Sequence, residues 1–349
     1  MSVYYAMGNS IYSKIVEDEH KYKFTTGNNI HKLFKYSNAK SIIKVEIPID
    51  DENLKITYNG DNIMISNMMT IKNKYYLHDL KHINEVLKIN KNTTLIIQNA
   101  AKNGNIEILN WLKNNGHDLN FSENAIFYAS RNGYVEILNW FKNNNYQFKK
   151  FYANGVLWAS VGGKINVLEW FKNIGHKFKN NKNAIIYASK YGHVQVLDWF
   201  KNYGYELNFS VDIIKNACLN GHIQVLEWFL KSGYEFKYDE DAINNACIHG
   251  HIKILEWFKN SGYEFKYNED ASMHACGDGH ISVLKWFKNS KYKLKYDSDS
   301  FGCYIRNEIT NFFVENVNIK KVIKWSSGKF INTLKIKTKN NYMKGYIKN

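Results

Sequence analysis

Apolar residues recur along most of this chain in a pattern with a period of 29 residues. Tryptophan marks the period most clearly. Trp111, Trp140, Trp170, Trp199, Trp228, Trp257 and Trp286 follow one another at steps of 29, 30, 29, 29, 29 and 29. A glycine lies seven residues before each (Gly104, Gly133, Gly163, Gly192, Gly221, Gly250, Gly279). An alanine lies four before each glycine (Ala100, Ala129, Ala159, Ala188, Ala217, Ala246, Ala275). A leucine stands two before every tryptophan, from Leu109 to Leu284. A spacing this regular identifies one structural unit stacked on itself.

The residues 122–151 show what one unit builds. Ser122 and Asn124 suit a helix N-cap. Ala125, Tyr128 and Ala129 fall at i, i+3 and i+4, which predicts a first helix ending at Asn132. Gly133 then supplies the left-handed residue that stops a helix. A second helix follows, with Val135, Ile137, Leu138, Trp140 and Phe141 apolar. Asn145 occupies the stop position that glycine holds in most copies (Gly116, Gly175, Gly204, Gly233, Gly262). Helices of eight or nine residues are marginal alone, so packing between units must hold them. The alanine permits close approach, and tryptophan and phenylalanine fill the space between neighbours. Each large aromatic buries about 150–250 Å², worth roughly 4–6 kcal/mol. The tryptophans lie among Ile, Leu and Phe on the apolar side of their helix, so they read as packing rather than as a base-stacking platform.

The frame divides 91–315 into units at about 93–121, 122–151, 152–180, 181–209, 210–238, 239–267 and 268–296. A degenerate copy over 297–315 is expected to cap the stack. Residues 79–90, with Leu80, Ile83 and Leu87 at helical spacing, would cap the other end. Residues 1–90 form a separate N-terminal module, expected to be α+β. Within it, SIIKVEIPIDDENLKIT and DNIMISNMMTIKNKYYL read as strands, with turns around Asp50–Asp51 and Asn59–Gly60–Asp61. Residues 316–349 form a tail. The expected architecture is mostly α: a solenoid of helix-turn-helix repeats with a small α+β module at its start.

The unit string A-x-x-x-G-H-x-x-I/V-L-x-W-F/L-x-x-x-G resembles the ankyrin repeat. Histidine follows the glycine at His193, His222, His251 and His280, and Trp and Phe stand at the family's two leucine places. The period is 29 rather than 33, and the missing residues fall where the family builds its β-hairpin finger, so long fingers are not expected. Shortened repeats in an Asn-, Lys- and Ile-rich chain are similar to ankyrin-repeat proteins of giant DNA viruses of amoebae. The resemblance implies a non-enzymatic scaffold that holds another protein against the concave face of the stack, with a host–virus role in the host cytoplasm. In ankyrin-like units the two residues before the turn glycine face that groove. Here they are Lys102 and Asn103, Arg131 and Asn132, Val161 and Gly162, Lys190 and Tyr191, Leu219 and Asn220, Ile248 and His249, and Gly277 and Asp278. They vary from copy to copy while the flanking alanine and glycine do not, as recognition positions on a fixed frame would.

Composition modifies this picture only at the edges. The net charge is +15, supplied almost wholly by lysine, and Arg131 and Arg306 are the only arginines. The excess is densest in the tail, where 316–349 carry nine lysines and no acid. An alternative function is therefore binding to nucleic acid or an anionic surface through that tail, although a solvated, compositionally biased end is the plainer reading. Cys218, Cys247 and Cys276 occupy equivalent places 29 apart, roughly 10 Å between packed helices. Disulfides span less than about 7 Å, so reduced thiols and an intracellular setting are expected. The four repeat histidines form a ladder rather than a cluster, which suits a structural role at the turn better than a metal site. The acidic Asp239, Glu240 and Asp241 begin a helix, where negative charge is favoured. No G-x-x-x-x-G-K-S/T, G-x-S-x-G, H-E-x-x-H or C-x-x-C string occurs, so neither enzyme chemistry nor a cofactor is expected. No membrane span or secretory signal is expected, and a capped stack is expected to be monomeric.

Overall fold

The computed structural model describes residues 4–8, 22–26, 41–46, 50–53, 55–59, 63–66, 70–89, 91–119, 123–144, 151–178, 182–205, 210–293 and 295. The expected cap at 297–315, the tail, Ser122 and Asn145 lie outside these residues. The chain forms two compact units, Met1–Lys179 and Asn180–Asn349, which are described in turn.

The first unit opens with six strands: β1 (Tyr4–Gly8), β2 (Tyr22–Thr26), β3 (Ser41–Glu46), β4 (Ile56–Asn59), β5 (Ile63–Ser66) and β6 (Thr70–Tyr76). They lie in the order β4-β5-β2-β1-β3-β6, and their pairings are antiparallel. The two stretches expected to be extended supply β3 to β6. Strands β1 and β2 complete the sheet and were not located by the sequence pattern. The register of β3 against β6 shifts between Lys44 and Val45, an irregularity of the kind a β-bulge produces. Helix α1 (Leu80–Ile89) then packs on β6. Asp79 accepts the Lys81 N–H at 3.0 Å at its start, and Ile83, Val86 and Leu87 are buried.

Three helix pairs follow in this unit: α2 (Thr94–Asn103) with α3 (Ile106–Asn114), α4 (Glu123–Asn132) with α5 (Val135–Asn143), and α6 (Tyr152–Val161) with α7 (Ile165–Asn173). Among the described residues the second unit holds four: α8 (Lys182–Lys190) with α9 (Val194–Asn202), α10 (Ser210–Leu219) with α11 (Ile223–Ser232), α12 (Glu240–Ile248) with α13 (Ile252–Asn260), and α14 (Asp270–Gly277) with α15 (Ile281–Asn289). In each unit the first helices of successive pairs pack side by side, and so do the second helices. The architecture is mostly α and ankyrin-like.

The repeat motif has a backbone cause. At the end of each first helix the residue after the glycine donates its N–H back to the repeat alanine. Examples are His193 to the Ala188 carbonyl at 2.8 Å, His251 to Ala246 at 2.8 Å and His280 to Ala275 at 2.7 Å. In six of these turns the glycine N–H bonds the next carbonyl, as Gly192 does to Ser189 at 3.0 Å, whereas that of Gly104 bonds Ala100. This is the Schellman arrangement, which needs a left-handed residue, and the turn glycines of α2, α4 and α8 have φ of 70°, 89° and 73°.

The core lies between pairs. The alanines Ala100, Ala129, Ala159, Ala188, Ala217, Ala246 and Ala275 are fully buried. So are the phenylalanines beside the tryptophans, Phe141, Phe171, Phe200, Phe229, Phe258 and Phe287. The tryptophans are not held by packing alone. Within the first unit the Trp140 indole N–H donates to Asn110 at 2.8 Å and that of Trp170 donates to Asn139 at 2.7 Å. In the second, Trp228 donates to Asp198 and Trp286 to Glu256. Each acceptor immediately precedes the tryptophan of the pair before. Cys218, Cys247 and Cys276 are free and buried, and burial pushes their thiols well above the ordinary range, that of Cys276 to about 12.

Candidate protein-interaction face

The turn that closes each first helix also positions the side chains read from the sequence as recognition residues. The glycine there is doubly constrained, because the next pair presses against it. A Cβ on Gly104 would lie 2.7 Å from the Tyr134 ring. One on Gly192 would lie 2.7 Å from the His222 ring, one on Gly221 2.8 Å from His251, and one on Gly250 2.7 Å from His280. His222, His251 and His280 are thus wedges between successive turns of the second unit. His251 Nε2 also lies 3.1 Å from the Leu219 carbonyl of the preceding turn. Burial lowers the pKa of His222 and His251 below the usual histidine value. Bonding to the carbonyls of Lys190 and Leu219 works against that shift, and neighbouring histidines reinforce it. Among the described residues no group of three or more His, Cys, Asp or Glu is placed to hold a metal ion.

The structure separates the two positions before the glycine, which the sequence treats alike. In the first unit the position next to the glycine serves stacking at Asn132 and Gly162. The Asn132 amide donates to the Lys102 carbonyl at 2.7 Å. Its counterpart Gly162 lies so close to the Arg131 carbonyl that a Cβ would come within 1.9 Å of it. Asn103 bonds the Asn99 carbonyl of its own helix at 2.8 Å. Val161 is buried and presents nothing to a partner. The other position carries cations that reach across to an aromatic ring on the next first helix. Lys102 lies over Tyr128 at 5.6 Å and Arg131 over Trp158 at 5.5 Å. Phe127 stacks on Trp158 with ring centroids 6.2 Å apart.

In the second unit Lys190 lies over Tyr187 at 5.6 Å. Tyr191 stacks between Tyr187 and His193, at 6.4 Å and 6.5 Å. These two tyrosines are 38% and 41% exposed, an unusual investment of aromatic surface in water. Leu219, Asn220 and Ile248 are half-buried, while His249 and Asp278 are exposed. Asn220 donates to the Asn216 carbonyl at 2.9 Å, and the His249 ring lies 6.0 Å from that of His251.

The aromatic partners of the cations escaped the sequence reading. Trp158 lies outside the 29-residue tryptophan ladder, and Tyr128 reads as one more apolar position on its helix. The available signal is positional: Tyr128, Trp158 and Tyr187 each stand immediately before a repeat alanine. The acidic start expected at 239–241 is present, with Asp239 before α12 and Glu240 and Asp241 in its first turn. Asp241 is also ion-paired to Lys215.

Residues 97–141 match a family model described as "Ankyrin repeats (many copies)". The crystal structure of the human ASB11 ankyrin repeat domain is similar at 14% identity over 54% of this chain and 96% of that chain, with a TM-score of 0.42. No curated protein matches the chain. No helix among the described residues is long and apolar enough to cross a membrane. The match over 97–141 falls on paired short helices closed by Ala- and Gly-specified turns, and that stretch of the chain is similar to ankyrin repeats.

Proposed function

We propose that this chain is a non-enzymatic scaffold that binds another protein through the residues at the C-terminal ends of its first helices. The observation that supports this reading is the contrast between frame and display. The repeat alanine and glycine are fixed by backbone geometry, while Arg131 in the first unit and Lys190, Tyr187 and Tyr191 in the second stand partly or largely in water. Exposed aromatic and arginine side chains on a rigid support are the residues that dominate protein interfaces. The finer setting, a host–virus contact in host cytoplasm, rests on the shortened units and the Asn-, Lys- and Ile-rich composition, and a monomeric state rests on the expected caps of the stack.

Combined replacement of Arg131, Lys190 and Tyr191 by alanine is expected to abolish capture of a partner by the full chain without lowering its melting temperature. Unchanged capture would reject this face. Capture that falls steeply with salt and disappears when 316–349 are deleted would assign binding to the basic tail instead.

A further inference from the structure

The first unit carries a row of two cation–aromatic pairs whose chemistry selects an occupant. The cations are Lys102 and Arg131, each in the last turn of its first helix. Helices α2 and α6 bear no acidic residue, and the Glu123 of α4 sits at the opposite end of that helix. The nearby Glu107 and Glu136 occupy the first turns of α3 and α5, where the helix dipole holds them. The row therefore presents positive charge. Arg131 is exposed and forms no ion pair among the described residues.

A guanidinium lying over an indole keeps its N–H edge directed outward, and that edge matches a carboxylate bidentately. The indole itself is engaged by Phe127 and Arg131. It offers little free face for stacking a base, which disfavours single-stranded nucleic acid as the occupant.

Adjacent first helices stand roughly 8–10 Å apart, and this sets the interval between the Lys102 and Arg131 anchors. An extended chain in the polyproline II conformation returns to the same side every third residue, after about 9 Å. Resting on the scaffold reading above, we propose that the Lys102–Tyr128 and Arg131–Trp158 pairs anchor an extended acidic peptide segment through carboxylates at positions i and i+3. The aromatic rings fix the cations in place before binding, so the segment meets a prearranged pair of charges rather than two mobile side chains.

The test uses the full chain and fluorescein-labelled peptides in a proline–serine background, read by fluorescence anisotropy. The probe with glutamates at i and i+3 is expected to bind more tightly than probes with glutamates at i and i+1 or with glutamines at i and i+3. R131Q and K102Q are each expected to weaken that binding about tenfold, the loss of one charge-assisted hydrogen bond. Neither is expected to change the melting temperature, and binding should weaken as salt rises. Equal affinity for the glutamate and glutamine probes would overturn the proposal. So would tighter binding of an oligothymidine probe that is lost in W158A. If the alanine triple variant loses its protein partner while the acidic probe never binds, the scaffold stands and the acidic occupant is wrong.

Discussion

At the scale of single residues, the turn glycines carry two separable demands, conformational and steric. Gly221 has φ +75°, and the His251 ring lies 2.8 Å from where its Cβ would stand. Gly262 has φ +82° and nothing within 4 Å. Gly262→Ala should therefore cost only the left-handed strain, about 1–2 kcal/mol. Gly221→Ala should cost about 1–3 kcal/mol more, because the histidine wedge must shift. Urea unfolding of the two variants separates the terms, and equal losses would show that the wedge yields freely. Sequence periodicity locates both glycines equally well. It does not tell them apart, because the ring that fills the space beside Gly221 comes from a residue 30 positions later.

At the scale of the element, a buried phenyl ring and a half-polar indole fasten successive pairs within each unit, at Trp140 and Trp170 in the first and Trp228 and Trp286 in the second. Phe229 is 1% exposed, so Phe229→Ala leaves a cavity and should cost about 3–5 kcal/mol. Trp228→Phe keeps most of the apolar surface and loses the hydrogen bond to Asp198. Asp198 is itself exposed and water can replace the lost donor, so the cost should be smaller, about 1–2 kcal/mol. Thermal unfolding gives the order, and a Trp228→Phe loss as large as that of Phe229→Ala would show that the indole bond dominates. The acceptor position is visible in sequence once known: Asn110, Asn139, Asp198 and Glu256 each immediately precede a tryptophan of the ladder. The tryptophans read as pure packing because a donor and acceptor in different units leave no local pattern in either helix.

At the scale of the whole molecule, the wedges make stability depend on pH. Burial lowers the pKa of His176, His222 and His251 in the folded chain, while the unfolded chain titrates near the usual value of about 6.5. Below that value the unfolded state binds more protons than the folded one, so stability rises with pH. The contribution is complete above about pH 6.5 and is lost as pH falls through the lowered folded values. The melting temperature should accordingly drop between pH 7 and pH 5. His222→Gln with His251→Gln should flatten that slope. An unchanged slope in the double variant would place the pH dependence elsewhere.

The sequence by itself determined the paired helices, their turns and the identity of the buried ring at each interval. Each of these follows from local backbone needs repeated at a fixed spacing: a carbonyl for the residue after the glycine, a left-handed residue, and an apolar stripe at helical period. Only the tertiary structure decided which of the positions before the glycine are consumed in stacking and which are displayed. Asn132 and Arg131 are neighbours in the chain, yet one is consumed in stacking and the other is displayed. The difference depends on atoms contributed by the adjoining pairs, the Lys102 carbonyl for one and the Trp158 ring for the other. Strands β1 and β2 likewise took their places through pairing with partners far along the chain, where cross-strand hydrogen bonds rather than local periodicity set the outcome.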